Sequence, residues 1–586
     1  MRLSKIYMNH SHIFESITFN DGFNAIFGKV ISSKDKNTHN LGKSILAQVI
    51  DYCLGKKKDS MFFQNLDQFN EFVFFLEIEY AKEQFVTVSR SVSEPTTMRF
   101  KYHTSPDRDY RGLLDSEWDK TLPFEKSKEL LDSLFNFQFI KGYSYRRLIG
   151  YLLRTQDDFQ DPFRLSKHKG KDIHWKPFLA KLLGFDDELL KKRGSLIDDL
   201  NKLSEQEHFI SSQNKTDAQS VSDIEGEIEL IKLKIQDFKT QLDELDFGNQ
   251  DKEEIAALVD LINDQIVILN DELFYLENDR KRIKNSLRTK KISFSTDEAQ
   301  SLFNEAGLVF PKQIKRSFDD LIQFNEAINQ ERIEYLSKEL KEIEPRIQKI
   351  SEELAELNKN KANKLAFLNE KDIFDKYKSI SNELNDRTAR LIYLEKIRDI
   401  IYQREDIKKQ KSLLSNELES VENLIRDNVT QNVKADSNSL FTKIRAYFSY
   451  IIQKTLNNDA FLSVNVNSNG NMEFEYKFAE KEAHNGHSYK KLLCIAFDMA
   501  LARAYTEQGY HLFLYHDGVF ESLDDRLKEK LLAIMREYSE YGLQQIITLI
   551  DADIPNGNVN FIHPDEIIKI LHDKDDSGLL FKMPPW

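Results

Sequence analysis

The sequence predicts an α/β protein whose two terminal segments fold into one head, with the middle of the chain leaving it as a long antiparallel helical coiled coil. Three observations predict this. Short runs rich in β-branched and aromatic residues fill residues 1–185 and return from 436. Between them proline and glycine nearly vanish, and apolar residues recur in steps of three and four. A Gly-Lys-Ser turn stands in the first segment, and an apolar strand ending in aspartate stands in the last.

Composition agrees with that division. Charged residues make up 31% of the 586-residue chain, with 11 prolines and 20 glycines, a balance that favours solvated helices over an all-β fold. The length asks for more than one hydrophobic core. A net charge of −14 excludes general polyanion binding and leaves room for a local basic patch alone. Cys53 and Cys494 sit among apolar residues with no C-x-x-C pair, which predicts buried thiols and excludes a zinc-hook linkage. The first twenty residues lack a signal pattern and no apolar run approaches 18 residues, so a cytoplasmic protein with no membrane contact is expected.

In residues 1–185, "SITFN", "NAIFG", "EFVFFLEIEY", "QFVTVSRSV" and "MRFKYH" read as strands. "GKSILAQVIDYCLG" reads as a helix with Ile45, Val49 and Cys53 on one face and Gly55 as its stop. Residues 186–291 form the ascending arm, 292–330 the turn and 331–435 the descending arm. Ile224, Ile228, Ile231, Ile235, Phe238, Leu242 and Leu245 make one stripe, and Leu336, Leu340, Ile343, Ile347, Ile350, Leu354 and Leu357 another. Their mean step of 3.5 keeps each stripe facing a partner helix. The series from Ile255 through Leu258, Ile262 and Ile266 to Leu276 contains a stutter. "DFGNQ" at 246–250 predicts a break, and Pro345 a kink. A straight arm would reach roughly 150 Å. In residues 436–586, Asn469-Gly470 marks a hairpin, followed by a helix near 488–508, the strand "HLFLYH", a helix near 524–541 and the strand "QQIITLI". "SGLLFKMPPW" reads as a short edge element and tail.

A hairpin of helices returns the chain to its start, so the two globular segments must meet. That makes the Gly-Lys-Ser turn informative. Gly42, Lys43 and Ser44 close a phosphate-binding loop that opens at Gly28, with thirteen residues between Gly28 and Gly42 where the usual loop has four. The inserted stretch, up to Asn40, can bulge outward if its ends rejoin the cradle. Its lysines and His39 are solvated surface, a cover over the nucleotide, or a contact for a partner. The loop amides and helix N-terminus face phosphates, Lys43 neutralises the β- and γ-phosphates of ATP, and Ser44 ligates Mg²⁺. Asp517 ends the strand "HLFLYHD", where a carboxylate binds that Mg²⁺ through water. Asp524 follows seven residues later.

On "NLGKSILAQVIDYCLG", "LFNEAGLVFPKQIKRSFDDLIQFN", "SYKKLLCIAFDMAL", "HDGVFESLDDR" and "IITLIDADI", the chain resembles SMC/RecN-like ATPases of the ABC class, and within them an uncharacterised bacterial family found in defence-type operons. The resemblance covers most of the chain. It implies an ABC-type P-loop head that dimerises around two ATP molecules, each clamped between one subunit's loop and the other's signature helix. Asp524 would be the D-loop aspartate. Gly486 and Ser488 would reach the γ-phosphate across the dimer, and Ser488 also reads as a helix N-cap. Gln156 would be the glutamine that senses Mg²⁺, with Gln160 close behind.

The chain departs from the family pattern at two positions. Gly518 stands where the catalytic glutamate belongs, and Asp551 where a histidine would follow the last strand. Glu521 is the substitute base or a cap for the next helix. ATP binding is therefore expected ahead of turnover, which would be slow or partner-stimulated.

Lys141, Arg146, Arg147, Arg154, Arg164, Lys167, Lys169 and Lys171, with Tyr143, Tyr145 and Tyr151 interleaved, make the main basic segment. It would bind DNA phosphates, pair with the acidic coil, or dock a partner protein. Two functions compete. One is an ATP-gated homodimeric clamp or sensor of DNA in repair or anti-phage or anti-plasmid defence. The other is an ATP-gated switch that controls an effector protein encoded nearby and does not bind DNA itself.

Overall fold

The computed structural model describes the chain except residues 30–40, 58–61, 63, 166–169, 171, 214–219, 244–251, 289–311, 366–370, 480–486, 556–557, 559–560 and 584–586. Side chains at 212–213, 252–257, 312–329, 332, 371–375 and 487–488 are also outside the description. The chain divides into two compact units, residues 1–198 with 416–586, and residues 199–415.

The first unit opens with β1 (Arg2–Met8), β2 (Ile17–Thr18) and β3 (Phe23–Lys29), then α1 (Lys43–Cys53). The antiparallel strands β4 (Val73–Ala81), β5 (Gln84–Ser91), β6 (Thr97–His103) and β7 (Lys120–Pro123) follow. Together with β1 and β2 they form a six-stranded sheet in the order β2-β1-β4-β5-β6-β7. Next come α2 (Phe124–Phe135), α3 (Tyr145–Leu152), β8 (Leu153–Arg154), α4 (Lys176–Leu182) and the start of α5 (Asp187–Gln213).

The second unit holds α6 (Val221–Asp243), α7 (Lys252–Arg288), α8 (Lys312–Leu365) and most of α9 (Lys371–Val433). The alternating stripes explain its packing. Ile224, Ile228 and Ile231 of α6 are buried with Leu394 and Ile397 of α9. Ile266 of α7 is buried with Ile350 and Leu354 of α8, flanked by Ile262, Leu269, Leu273, Leu276 and Leu357. Charged residues bridge the rims, as in Arg390–Glu227 at 2.9 Å and Lys284–Glu344 at 2.9 Å.

The returning arm is two helices, α8, with Pro345 inside it, and α9. Two details differ from the sequence reading. Residues 312–330, expected in the turn, are already helical. In the middle stripe Leu258 is exposed while its neighbour Val259 is buried, because the stutter rotates the apolar face by one position. The expected break at 246–250 lies outside the described residues, apart from the start of α7 beyond it.

The final segment returns to the first unit with α10 (Leu440–Leu456), the hairpin β9 (Ala460–Val466) and β10 (Met472–Phe478), α11 (His487–Thr506), β11 (Phe513–His516), α12 (Asp525–Glu540), β12 (Gln544–Ile550) and β13 (Ile567–His572). Gly470 turns the hairpin with φ of 72°. Three of these strands join two from the start of the chain in a parallel sheet, ordered β13-β3-β12-β11-β8. The register pairs Gly28 with Ile550, and Arg154 with His516. The carboxyl ends of β3, β8, β11 and β12 therefore lie side by side, and ligand sites of open parallel sheets form at such ends. Among the described residues, no helix is long and apolar enough to cross a membrane.

Candidate functional site

Each of those strand ends supplies a polar residue. β3 leads to α1, whose N-terminal turn begins at Gly42 with φ of 92°, a conformation that favours glycine. Lys43 is buried, and its carbonyl accepts from the Tyr515 hydroxyl at 3.1 Å. The Ser44 hydroxyl donates to Asp517 Oδ2 at 2.5 Å, although 473 positions separate them in sequence. Asp517 is itself buried, its amide donating to the Arg154 carbonyl at 3.1 Å. Its other oxygen accepts from the Thr548 hydroxyl at 2.6 Å, and Thr548 accepts in turn from the Gly518 amide at 2.8 Å. The carboxylate is thus fixed by one hydroxyl from β12 and one from α1.

The segment after Asp517 doubles back sharply. Gly518 and Ser522 both have positive φ, 64° and 68°. The Lys491 ammonium, reaching in from α11, donates to the carbonyls of Gly518 at 2.7 Å and Glu521 at 3.1 Å and so pins the loop. Gln156, just past β8, donates its amide to both oxygens of Glu521, at 3.0 and 2.9 Å. A Cβ at position 518 would lie 2.9 Å from the Gln156 amide nitrogen and 2.9 Å from Glu521 Oε2. The positive φ at 518 favours glycine, and a side chain placed there would have to displace the ends of Gln156 and Glu521.

Burial raises the pKa of Glu521, with Lys491 and Lys43 opposing it and Asp553 and Asp517 adding to it. Burial likewise raises Asp553, against its hydrogen bond from the Ile550 amide and the charges of Lys43, Lys528 and Lys491. Lys491 is lowered by burial, against Glu521, Asp553 and Asp517. Lys43, Lys491, Asp517, Glu521 and Asp553 therefore share one electrostatic environment.

The sequence reading anticipated Gly28, Gly42, Lys43, Ser44, Gln156, Asp517 and Glu521 around this point, and the strand ends bring them together. Gly28 closes β3, where a Cβ would lie 2.9 Å from Leu41. Asp524 caps α12, accepting from the Leu527 amide at 3.0 Å, so Glu521 is not that helix's cap. Asp551 accepts from the Ala552 amide at 3.1 Å, and it is the buried Asp553 that feels the charge of Lys43. Lys491, Thr548 and Asp553 were missed. Their only sequence signals were polar residues inside the apolar runs "KKLLCIAF" and "QQIITLI", and a second aspartate in "DAD". Asn40 and Gly486 lie outside the described residues, as does the side chain of Ser488.

The basic segment is corrected in part. Arg154 is wholly buried, paired with Asp498 through Nε at 2.5 Å and Nη2 at 2.9 Å, and donates to the carbonyls of Asp158, Asp161 and Pro162. It cannot meet DNA, since an unpaired guanidinium in that interior would be costly and every donor direction is occupied by protein. Tyr145 and Tyr151 are buried as well, their hydroxyls donating to the carbonyls of Leu54 and Phe163. Arg146 pairs with Asp51 at 2.7 Å. Lys141 and Arg147 are exposed, and Lys167, Lys169 and Lys171 lie outside the described residues. Cys53 and Cys494 are buried thiols, as expected.

A family model described as an uncharacterised protein conserved in bacteria (DUF2326) matches residues 450–585. No curated protein matches the chain. Among solved structures, the chain is similar to the Smc head domain with a coiled coil and joint from Pyrococcus yayanosii, at 13% identity over 98% of this chain and 96% of that one, with a TM-score of 0.35. It is also similar to the Smc head domain with an extended coiled coil bound to the C-terminal domain of ScpA from Pyrococcus furiosus, at 12% identity over 97% and 92%, with a TM-score of 0.32.

Proposed function

We propose that the chain is an SMC-like, ABC-class nucleotide switch that binds ATP with Mg²⁺ at the turn formed by Gly28, Gly42, Lys43 and Ser44. The observation that carries this reading is the 2.5 Å contact between the Ser44 hydroxyl and the Asp517 carboxylate beside buried Lys43. A hydroxyl and a carboxylate converging in this way are hard oxygen donors of the kind Mg²⁺ takes, and an adjacent ammonium suits phosphate. Ser44 and Asp517 would hold the ion, Gln156, beside Gly518, is the further candidate, and the ion would neutralise charge on the terminal phosphates.

Glu521 is the candidate base. Its raised pKa brings it closer to the range in which a carboxylate accepts a proton well, and the Gln156 amide, donating to both oxygens, orients it while leaving each oxygen a further lone pair. Gly518 standing beside Asp517 in place of a glutamate is what supports a slow, gated ATPase. Two heads would close around nucleotide, with Gly486, Ser488 and Asp524 facing the partner subunit, and an effector encoded nearby would respond to that closure. Sizing the protein with and without ATP and Mg²⁺ tests this, with Lys43→Ala as control. A dimer gained only by the unmodified protein with nucleotide supports the switch, and an unchanged monomer rejects it.

A second reading, a clamp or sensor of DNA in repair or defence, rests on Lys141 and Arg147, which are both exposed. Contacts of that kind would be salt-dependent and indifferent to sequence. A mobility-shift titration of the Lys141→Glu, Arg147→Glu double variant tests it. Weaker binding than the unmodified protein at low salt supports DNA contact, and no binding by either protein excludes it.

A further inference from the structure

The segment after β13 was expected to be a short edge element and tail. Instead it packs against the phosphate turn. A short helical turn at Asp576–Gly578, capped by Asp575, sends the chain inward. Leu580 and Phe581 are both almost fully buried. The Leu580 amide donates to the Leu41 carbonyl at 3.2 Å, and the Lys582 amide to the Ile13 carbonyl at 2.8 Å. The Phe581 ring packs among Phe14, Phe69, Phe72 and Phe74, at centroid distances of 5.4 to 6.1 Å. Outside, Lys582 and Lys569 both pair with Glu15.

The contact with Gly42 is the informative one. A Cβ on Gly42 would lie 2.6 Å from Leu580 Cβ, so the leucine fills the space that the missing side chain leaves open. Gly42 is the residue with φ of 92°, and its carbonyl accepts the first amides of α1, from Ile45 at 3.1 Å and Leu46 at 3.2 Å. Leu41 in turn touches Gly28. One row of contacts thus joins Leu580 to Gly42, Leu41 and Gly28, the two ends of the phosphate loop.

We propose that residues 579–582 are a strap that holds the phosphate turn in its binding conformation, with Leu580 as a positioning residue for nucleotide. This rests on the reading of Gly42, Lys43 and Ser44 as the phosphate-holding turn. The strap reaches the nucleotide through Gly42, so its loss weakens affinity in a way that general destabilisation does not.

The test uses the full chain with Leu580→Ala, the conservative Leu580→Met, and Leu462→Ala, which empties a comparable buried position in β9 away from the site. Two quantities are read: the Kd for a fluorescent ATP analogue with Mg²⁺, and amide exchange at Ile45 and Leu46 without nucleotide. The expected result for Leu580→Ala is at least fivefold weaker binding and at least tenfold faster exchange at both amides. Leu580→Met and Leu462→Ala stay within twofold of the unmodified protein in both. Unchanged exchange and unchanged Kd in Leu580→Ala overturn the strap, as does an equal loss in Leu462→Ala. If the unmodified protein binds no nucleotide while Leu580→Ala still exchanges faster, the nucleotide reading falls and the strap stands. If Leu580→Ala does not fold, Lys582→Ala decides by the same two quantities, since it frees the segment from Glu15 without emptying the core.

Discussion

The side-chain amide of Gln156 donates to both carboxylate oxygens of Glu521, at 3.0 and 2.9 Å, joining the end of β8 to the loop after Asp517 across 365 positions of sequence. The pair lies over Gly518, where a Cβ would come within 2.9 Å of both side chains. Glu521→Gln should therefore abolish ATP turnover while leaving ATP binding within about threefold, because Lys43, Ser44 and Asp517 are untouched. Comparing kcat with equilibrium binding checks this. Retention of full kcat would remove Glu521 from the account.

The same residue sets a pH dependence. The folded-state pKa of Glu521 is raised, so its contribution to stability is present below the unfolded value of about 4.3 and is lost as pH rises through the folded value. Glu521→Gln should melt with the unmodified protein near pH 4 and above it near pH 8. Melting curves across that range give the sign directly.

Arg154 joins β8 to Asp498 of α11 in a fully buried pair, and His516 Nε2 lies 3.1 Å from the same carboxylate. Removing one member leaves a charge stranded in the interior. Arg154→Ala should cost about 3–5 kcal/mol in denaturant unfolding of the first unit. A change under about 1 kcal/mol would mean that water reaches the pair.

In the second unit, Lys361 of α8 is almost fully buried, donating to the Ser381 hydroxyl of α9 at 2.6 Å. Burial, with Lys378 nearby, pushes its pKa down to about 8. Below that value the folded state must carry a buried charge, so stability should rise as pH climbs from about 8 towards the ordinary lysine range near 10.4. Lys361→Met should raise the melting temperature at neutral pH by a few degrees and flatten this slope, which calorimetry at several pH values can show.

What the sequence revealed follows from what is local in it. The stripes from Ile224 to Ile231 and from Ile347 to Leu354 were legible because a period of 3.5 is a property of neighbouring residues. Lys43, Ser44 and Asp517 were legible because each ends a short pattern with its own chemistry. Arg154 was misread because nothing near it announces Asp498, 344 positions away. Thr548 and Lys491 were missed for a related reason. Their partners are fixed by the alignment of β12 beside β11 and by the placement of α11, and a one-residue slip would turn Thr548 away from Asp517. The role of Leu580 was hidden in the same way, since its partner Gly42 lies at the other end of the chain.

The most direct measurement is calorimetric titration of ATP, with Mg²⁺ and with a chelator, into the unmodified protein, Lys43→Ala and Asp517→Asn. The unmodified protein should bind in a Mg²⁺-dependent way, Lys43→Ala should lose binding, and Asp517→Asn should show an affinity that no longer responds to Mg²⁺. Binding by Asp517→Asn that matches the unmodified protein in both affinity and Mg²⁺ dependence would contradict this.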